Sequence, residues 1–280
     1  MLSSQGLFRS VTLSLSIAVL SWVGSGSLRL MAMQPHHGTQ FKIPTTTQDP
    51  GAPIGRREGG SSRGKNIFAL CTSVEEVASQ QCATARLTAL VPETTDTKQV
   101  WGLTTADHPE FLFYLSKFRN PSDPAITHLP IEFVLQDEND QYIYKASFVL
   151  PLTEGGIIRI PVPATSTPLN VGQRYTWTLY TRFHPDETNF VHGTIYRTQL
   201  TAQRQQQLDT ATPLQRLDIA LQEGLWFDAL STLVDLQRAN PKDLKLRNQW
   251  ASLLHDINLN ELAAEPMLSC CTPEPHVSLK

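Results

Sequence analysis

The sequence predicts an α+β chain, mostly β: an antiparallel β-sandwich over residues 67–200 followed by a helical appendage over 201–262. Three observations predict it. Short apolar runs separated by turn residues recur from Leu87 to Leu200, the pattern of sandwich strands. The last two runs flank a polar loop containing Pro185, Asp186 and Asn189, which is a hairpin signal. After Leu200 the apolar spacing changes from that of strands to that of helices.

Taken in order, the strand runs are Leu87–Val91, Gln99–Thr105, Glu110–Leu115, Pro130–Leu135, Tyr142–Leu150 and Ile157–Val162, then the hairpin of Tyr175–Phe183 and Phe190–Leu200. Asp137–Asp140 makes the turn between the fourth and fifth runs, and Gly155-Gly156 precedes the sixth. Pro161 and Pro163 put the sixth run at a sheet edge or at its own end, because proline cannot donate to a ladder. The hairpin opens on Leu169-x-x-Gly172-x-x-Tyr175-x-Trp177. This resembles the tyrosine corner of an immunoglobulin or fibronectin type III sandwich, where a Tyr hydroxyl bonds back to upstream backbone. A buried Tyr needs its ring in the core and its hydroxyl paired, so Tyr175 and Trp177 are expected to be structural.

The helical part begins with a polar segment from Ala202 to Leu208. Thr212-Pro213 supplies an N-cap and a first-turn proline, with Leu214, Leu217 and Leu221 following at helical spacing. Gly224 stops that helix. Trp226, Ala229, Leu230, Leu233 and Leu236 mark the next, which ends before Asn240-Pro241. A third, from about 242 to 257, carries Leu246, Trp250, Leu253 and Leu254. Gly224-x-Trp226-x-x-Ala229-x-x-x-Leu233 with Pro241 beyond resembles the second helix of a tetratricopeptide repeat. One and a half such units leave an apolar face uncovered, so the helices are expected to lean on the sandwich, with Trp226 and Trp250 as structural residues near the seam.

The N-terminus reads as an export signal over residues 1–27. Arg9 precedes the short apolar run Val11–Val23, and small residues follow from Gly24 to Ser27. The run is too short to span a membrane comfortably, and no transmembrane span is expected in the mature chain. Residues 28–66 read as a disordered Gly/Pro/Arg linker, poor in large apolar side chains. Within it Arg56, Arg57 and Arg63 lie on a glycine-rich stretch, a flexible basic linker or alternatively an anion-binding nest. A short helix is expected over 73–81, and residues 263–280 read as a tail. An exported chain meets an oxidising compartment, which makes the four cysteines, Cys71, Cys82, Cys270 and Cys271, disulfide candidates. Three connectivities are open. Cys71 with Cys82 would staple a short segment, whereas neighbouring Cys270 and Cys271 would strain the peptide link between them.

A resemblance covers nearly the whole mature chain. Gly51-Ala-Pro-x-x-Arg56-x-x-Gly59-Gly60-x-x-Arg63-Gly64, Leu87-Thr-Ala-Leu-Val-Pro-Glu93, Tyr175-x-Trp177, the Gly224-x-Trp-x-Asp-Ala-Leu230 helix and the closing Glu265-Pro-x-x-x-Cys270-Cys271 occur in that order. Together they are similar to an uncharacterised exported cyanobacterial family, the domain of unknown function 928. The resemblance implies a secreted protein with no known activity. The family pattern also has a cysteine near the position of Phe183, and its replacement here makes Cys82 the candidate partner of Cys71.

Residue types that carry chemistry are sparse. His184 and His192 bracket the hairpin loop; facing each other across the strands they would bring two imidazoles together for a metal, with Asp186 or Glu187 adding oxygen. Solvated rim histidines are the alternative. Asp137, Glu138 and Asp140 lack the glycine and distal glutamate of an EF-hand loop. No Gly-x-Ser-x-Gly elbow occurs, and no Cys–His pair has a nucleophile's signature. Trp101, Trp177, Trp226 and Trp250 serve core packing or, alternatively, stack on a sugar. A net charge of −3 gives no basis for general nucleic-acid binding. The resulting expectation is an exported, non-enzymatic binding or assembly protein of the cell envelope without a cofactor. Its partner would be an envelope protein or a polysaccharide. The alternatives are a metal-dependent hydrolase using the histidine hairpin, and a glycan-binding module.

Overall fold

In the computed structural model, described over residues 41, 55–59, 68–70, 83–117, 128–151, 155–184, 187–269 and 271, the apolar runs become strands. The strands are β1 (Glu58–Gly59), β2 (Phe68–Leu70), β3 (Ala83–Ala85), β4 (Leu87–Ala89), β5 (Trp101–Thr104), β6 (Glu110–Leu115), β7 (His128–Gln136), β8 (Tyr142–Pro151), β9 (Gly156–Pro161), β10 (Arg174–His184) and β11 (Glu187–Arg197). Four helices follow: α1 (Ala202–Thr210), α2 (Pro213–Gln222), α3 (Trp226–Ala239) and α4 (Leu244–Asp256). One sheet has the order β1-β4-β6-β9, the second β5-β11-β10-β7-β8, and β2 with β3 forms a small ribbon. The pairing is antiparallel with one correction to the expectation: β5 runs parallel to β11, Trp101 opposite Thr194.

The two main sheets meet through aromatic rings. Phe111 and Phe113 of β6 lie 4.9 and 6.1 Å from the Phe133 ring of β7. The same two rings lie 6.1 and 5.7 Å from Trp177 of β10. Tilted and edge-on contacts at these distances suit the ring quadrupoles. β6 reads Glu-Phe-Leu-Phe-Tyr-Leu without polar alternation because it is covered on both faces, and all of it but Glu110 is buried. β8 alternates instead. Ala146, Phe148 and Leu150 are buried while Lys145, Ser147 and Val149 are exposed, the signature of a half-covered strand at a sheet end.

The approach to β10 is fixed by local chemistry. Gly172 has φ +78°, a conformation costly to any residue with a Cβ, and its N–H donates to the Arg197 carbonyl at 2.7 Å. Tyr175 is buried. Its Oη accepts from the Asn170 N–H at 2.7 Å and donates to Gln173 Oε1 at 3.1 Å.

Helix starts and stops are equally legible. Thr212 and Gln215 form a capping box around Pro213, and Gly224 at φ +69° follows α2. α3 is the helix that lies on the sheets. The Trp226 Nε1–H donates to the Leu90 carbonyl at 2.8 Å, and the Phe227 ring sits 5.2 Å from Phe111. Gly102 of β5 permits this approach, because a Cβ there would stand 3.0 Å from both Phe227 Cε2 and Trp226 Cβ.

The stretches read as a disordered linker and as a tail both pack against the fold where they are described. In the 28–66 linker, Phe41 is buried, its N–H donates to Asp256 Oδ2 at 3.0 Å, and its ring meets Trp226 edge-on at 4.8 Å. Residues 55–59 join both sheets: Arg56 bridges His192 of β11, and Glu58 pairs Thr88 of β4. Two-residue pairing leaves no hydrophobic alternation, so composition alone pointed to disorder. In the 263–280 tail, Pro266–Leu268 lines the outer edge of β9. Ile157 donates to the Pro266 carbonyl at 2.7 Å and Leu268 donates to the Ile157 carbonyl at 2.8 Å, which satisfies an otherwise open sheet edge. The helix expected over 73–81 lies outside the described residues.

Candidate functional site: the polar seam and cleft beside α3

Asp228, Ser231 and Asp235 recur at three- and four-residue steps on α3, so they share one face of it. That face meets the start of β6 and the middle of β9. Glu110 Oε2 accepts from Arg159 Nε at 2.7 Å, and also from Arg159 Nη2 and the Ser231 hydroxyl. Arg159 Nη1 donates to Asp235 Oδ1 at 2.6 Å. One arginine thus bridges two carboxylates. Burial works against its charge, but the hydrogen bonds to Asp235 and Glu110 outweigh it and raise its pKa above the ordinary arginine value.

Asp228 sits one turn earlier, in the acid-favouring first turn of α3. Its carboxylate accepts from the Thr105 hydroxyl at 2.5 Å and from the Thr105 N–H at 3.2 Å to each oxygen. Burial pushes its pKa up, opposed by the hydrogen bonds from Thr104 and Thr105. Thr104, His108, Asp228, Ser231 and Thr232 border a pocket of about 290 Å³. Within it Ser231 is committed to Glu110. His108 is held at both ring nitrogens, by Asp107 Oδ1 at 3.1 Å and the Ser166 carbonyl at 3.2 Å. In this arrangement the polar groups tie α3 to the sheets.

Beyond Arg159 the seam opens into a cleft of about 1180 Å³ between α3, α4, residues 263–269 and Cys271. Met267, 39% exposed, and half-buried Leu268 give it an apolar wall above the buried Val234 and Trp250, and the exposed Arg238 and Arg247 stand at its rim. Sequence reasoning passed over Glu110, Arg159, Asp228, Ser231, Arg238 and Arg247. The signal was present for Asp228 alone, a carboxylate set inside the apolar stretch Leu225–Leu230.

The residues singled out from sequence are scattered. β10 and β11 pair His184 with Glu187 and Thr178 with His192. The two histidines are therefore offset by on the order of 15–20 Å along the strands and do not face each other, which corrects the proposed metal pair. Burial and the neighbouring Arg56 lower the His192 pKa. The side chains of His184, Asp186 and Glu187, and all of Arg63, lie outside the described residues. Arg57 is engaged within the fold: its Nη1 donates to the Ile257 carbonyl at 2.8 Å and its Nε lies 3.5 Å from Glu93. Arg56 donates from Nε to the Glu58 carbonyl at 3.2 Å and stacks over Phe190 at 5.0 Å. Trp101, Trp177, Trp226 and Trp250 are all buried, which removes them as sugar-stacking platforms. Cys71, Cys82 and Cys270 lie outside the described residues, and Cys271 is half-buried and not free. No helix among the described residues is long and apolar enough to cross a membrane.

Fold and site together define a two-sheet β protein with a helical layer, whose polar seam is internally hydrogen-bonded and which has, among the described residues, a large recess beside α3 and α4. Residues 58–267 match the family model of the domain of unknown function 928, and the chain belongs to that family. The comparison with functionally curated proteins returned no match.

Proposed function

We propose that this protein is an exported, non-enzymatic binding or assembly protein of the cell envelope, and that it binds through the α3–α4 cleft. The observation that carries the reading is the contrast within the site. Glu110, Arg159, Ser231 and Asp235 are spent on one another, whereas the rest of the cleft they border keeps the exposed Met267 and half-buried Leu268 as an apolar wall and the exposed Arg238 and Arg247 at its rim. A recess of that size and lining suits a segment of another molecule. The frame we assign is an immunoglobulin/fibronectin-III-like sandwich. Support comes from the β10 corner with its Asn170–Tyr175 bond and from the strand order, with β4, β6 and β9 in one sheet and β7, β10 and β11 in the other. The α2–α3 pair is assigned as tetratricopeptide-like, and the N-terminal 27 residues as a cleaved signal.

The test is cross-linking of the tagged protein in its native envelope. A discrete adduct is expected, and it should be lost when Met267→Trp fills the cleft. A protein recovered only as an uncross-linked species, or an adduct indifferent to Met267→Trp, overturns the reading.

A further inference from the structure

The charges around the cleft are unevenly satisfied. Its acids are engaged: Glu110 and Asp235 hold Arg159, and Glu265 Oε1 accepts from the Tyr114 hydroxyl at 3.4 Å. Its rim cations are not. Arg238 is exposed and has no hydrogen bond or ion pair among the described residues, and Arg247 has only a 3.4 Å donation from Nη2 to the Lys242 carbonyl. The segment joining α3 to α4 amplifies this. Residues 238–247 carry Arg238, Lys242, Lys245 and Arg247 against the single acid Asp243. Asp243 is occupied capping α4, its Oδ1 accepting from the Lys245 N–H at 2.8 Å. A chain of net charge −3 therefore presents a local positive rim beside the apolar wall of Met267 and Leu268.

Two guanidinium forks beside an apolar recess match carboxylates flanking an apolar anchor. We infer that the α3–α4 cleft takes an extended acidic segment of a partner protein, an apolar side chain seated against Met267 and Leu268 and its carboxylates paired by Arg238 and Arg247. This rests on the binding role proposed for the cleft and adds the chemistry of its occupant. A membrane surface fits less well, because the cations border a concave recess and not a flat or bulging face.

The experiment pans a random dodecapeptide phage library on the mature full-length protein. The same library is panned on Arg238→Glu/Arg247→Glu, whose exposed substitutions leave the core untouched. Enriched peptides should carry carboxylates beside an apolar residue. The synthetic peptide with the highest enrichment should bind the charge-reversed variant about tenfold more weakly or worse, and should weaken as salt rises. Arg238→Lys/Arg247→Lys should lie between the two. Enriched peptides that lack acids but are lost in Met267→Trp overturn the acidic partner and leave cleft binding standing. Peptides held equally by the charge-reversed variant overturn the inference. So does sedimentation of the wild type, but not of that variant, with phosphatidylglycerol vesicles, since it makes the rim a lipid contact. No enrichment on the wild type overturns both readings.

Discussion

Trp226→Phe tests the attachment of the helices to the sheets. The indole is fully buried, donates to the Leu90 carbonyl at 2.8 Å, and receives the Phe41 ring edge-on at 4.8 Å. Phenylalanine keeps an aromatic ring but removes the donor. It leaves the buried Leu90 carbonyl without its indole partner, a loss of about 1–3 kcal/mol. The smaller ring also leaves a void, adding about 1 kcal/mol for incomplete refilling. The sum is about 2–4 kcal/mol. At roughly 2–4 °C per kcal/mol for a domain of this size, the melting temperature should fall by about 5–15 °C. Urea denaturation followed by near-ultraviolet circular dichroism measures the loss. Hydrogen exchange should show α3 and α4 opening at lower free energy than the sheets. A midpoint within about 0.5 kcal/mol of wild type refutes the argument that this bond and ring anchor the helical layer.

Tyr175→Phe removes an acceptor from the Asn170 N–H, and Asn170 is exposed. Water can replace part of the bond, so the expected loss is about 1 kcal/mol by urea denaturation; no loss means the hydroxyl does not hold the β10 corner. Asp228 gives a pH signature of definite sign. Burial raises its folded-state pKa, so the proton binds more tightly in the folded protein. The stability it contributes is present in full below the unfolded carboxylate pKa and is lost as pH rises through the folded value. Measured against Asp228→Asn, the wild type should therefore gain stability on acidification from pH 7 to pH 4, by about 1.4 kcal/mol per unit of elevation. A difference that is flat, or that moves against the wild type toward acid, refutes the claim that burial dominates the Thr104 and Thr105 hydrogen bonds.

What the sequence reveals depends on how locally each feature is encoded. The runs from Leu87 to Leu200 coincide with β4 to β11 because alternation and turn residues are short-range signals. Gly224 and the Thr212 capping box mark helix ends for the same reason. Residues 55–59 were hidden because their strand character comes from partners at Thr88 and His192, not from their own pattern. The parallel pairing of β5 with β11 leaves no mark in either strand. The misplaced histidine pair shows the complementary limit. A hairpin is visible in the sequence, but its register sets which residues meet, and here it sets His184 against Glu187. The seam of Glu110, Arg159 and Ser231 joins three separate elements, and no spacing along the chain announces it.

Phe41 and the segment of residues 55–57 have a bearing on the order of folding. Phe41 bonds Asp256 and Arg57 bonds Ile257, contacts that span 215 and 200 residues. Arg56 bridges β11, itself among the last strands made. Contacts of such separation form only after nearly all of the intervening chain is present, and loop-closure entropy delays them. The segment that leaves the ribosome early is thus clasped late. Phe41 and Arg57 reach their partners only once the end of α4 has been made.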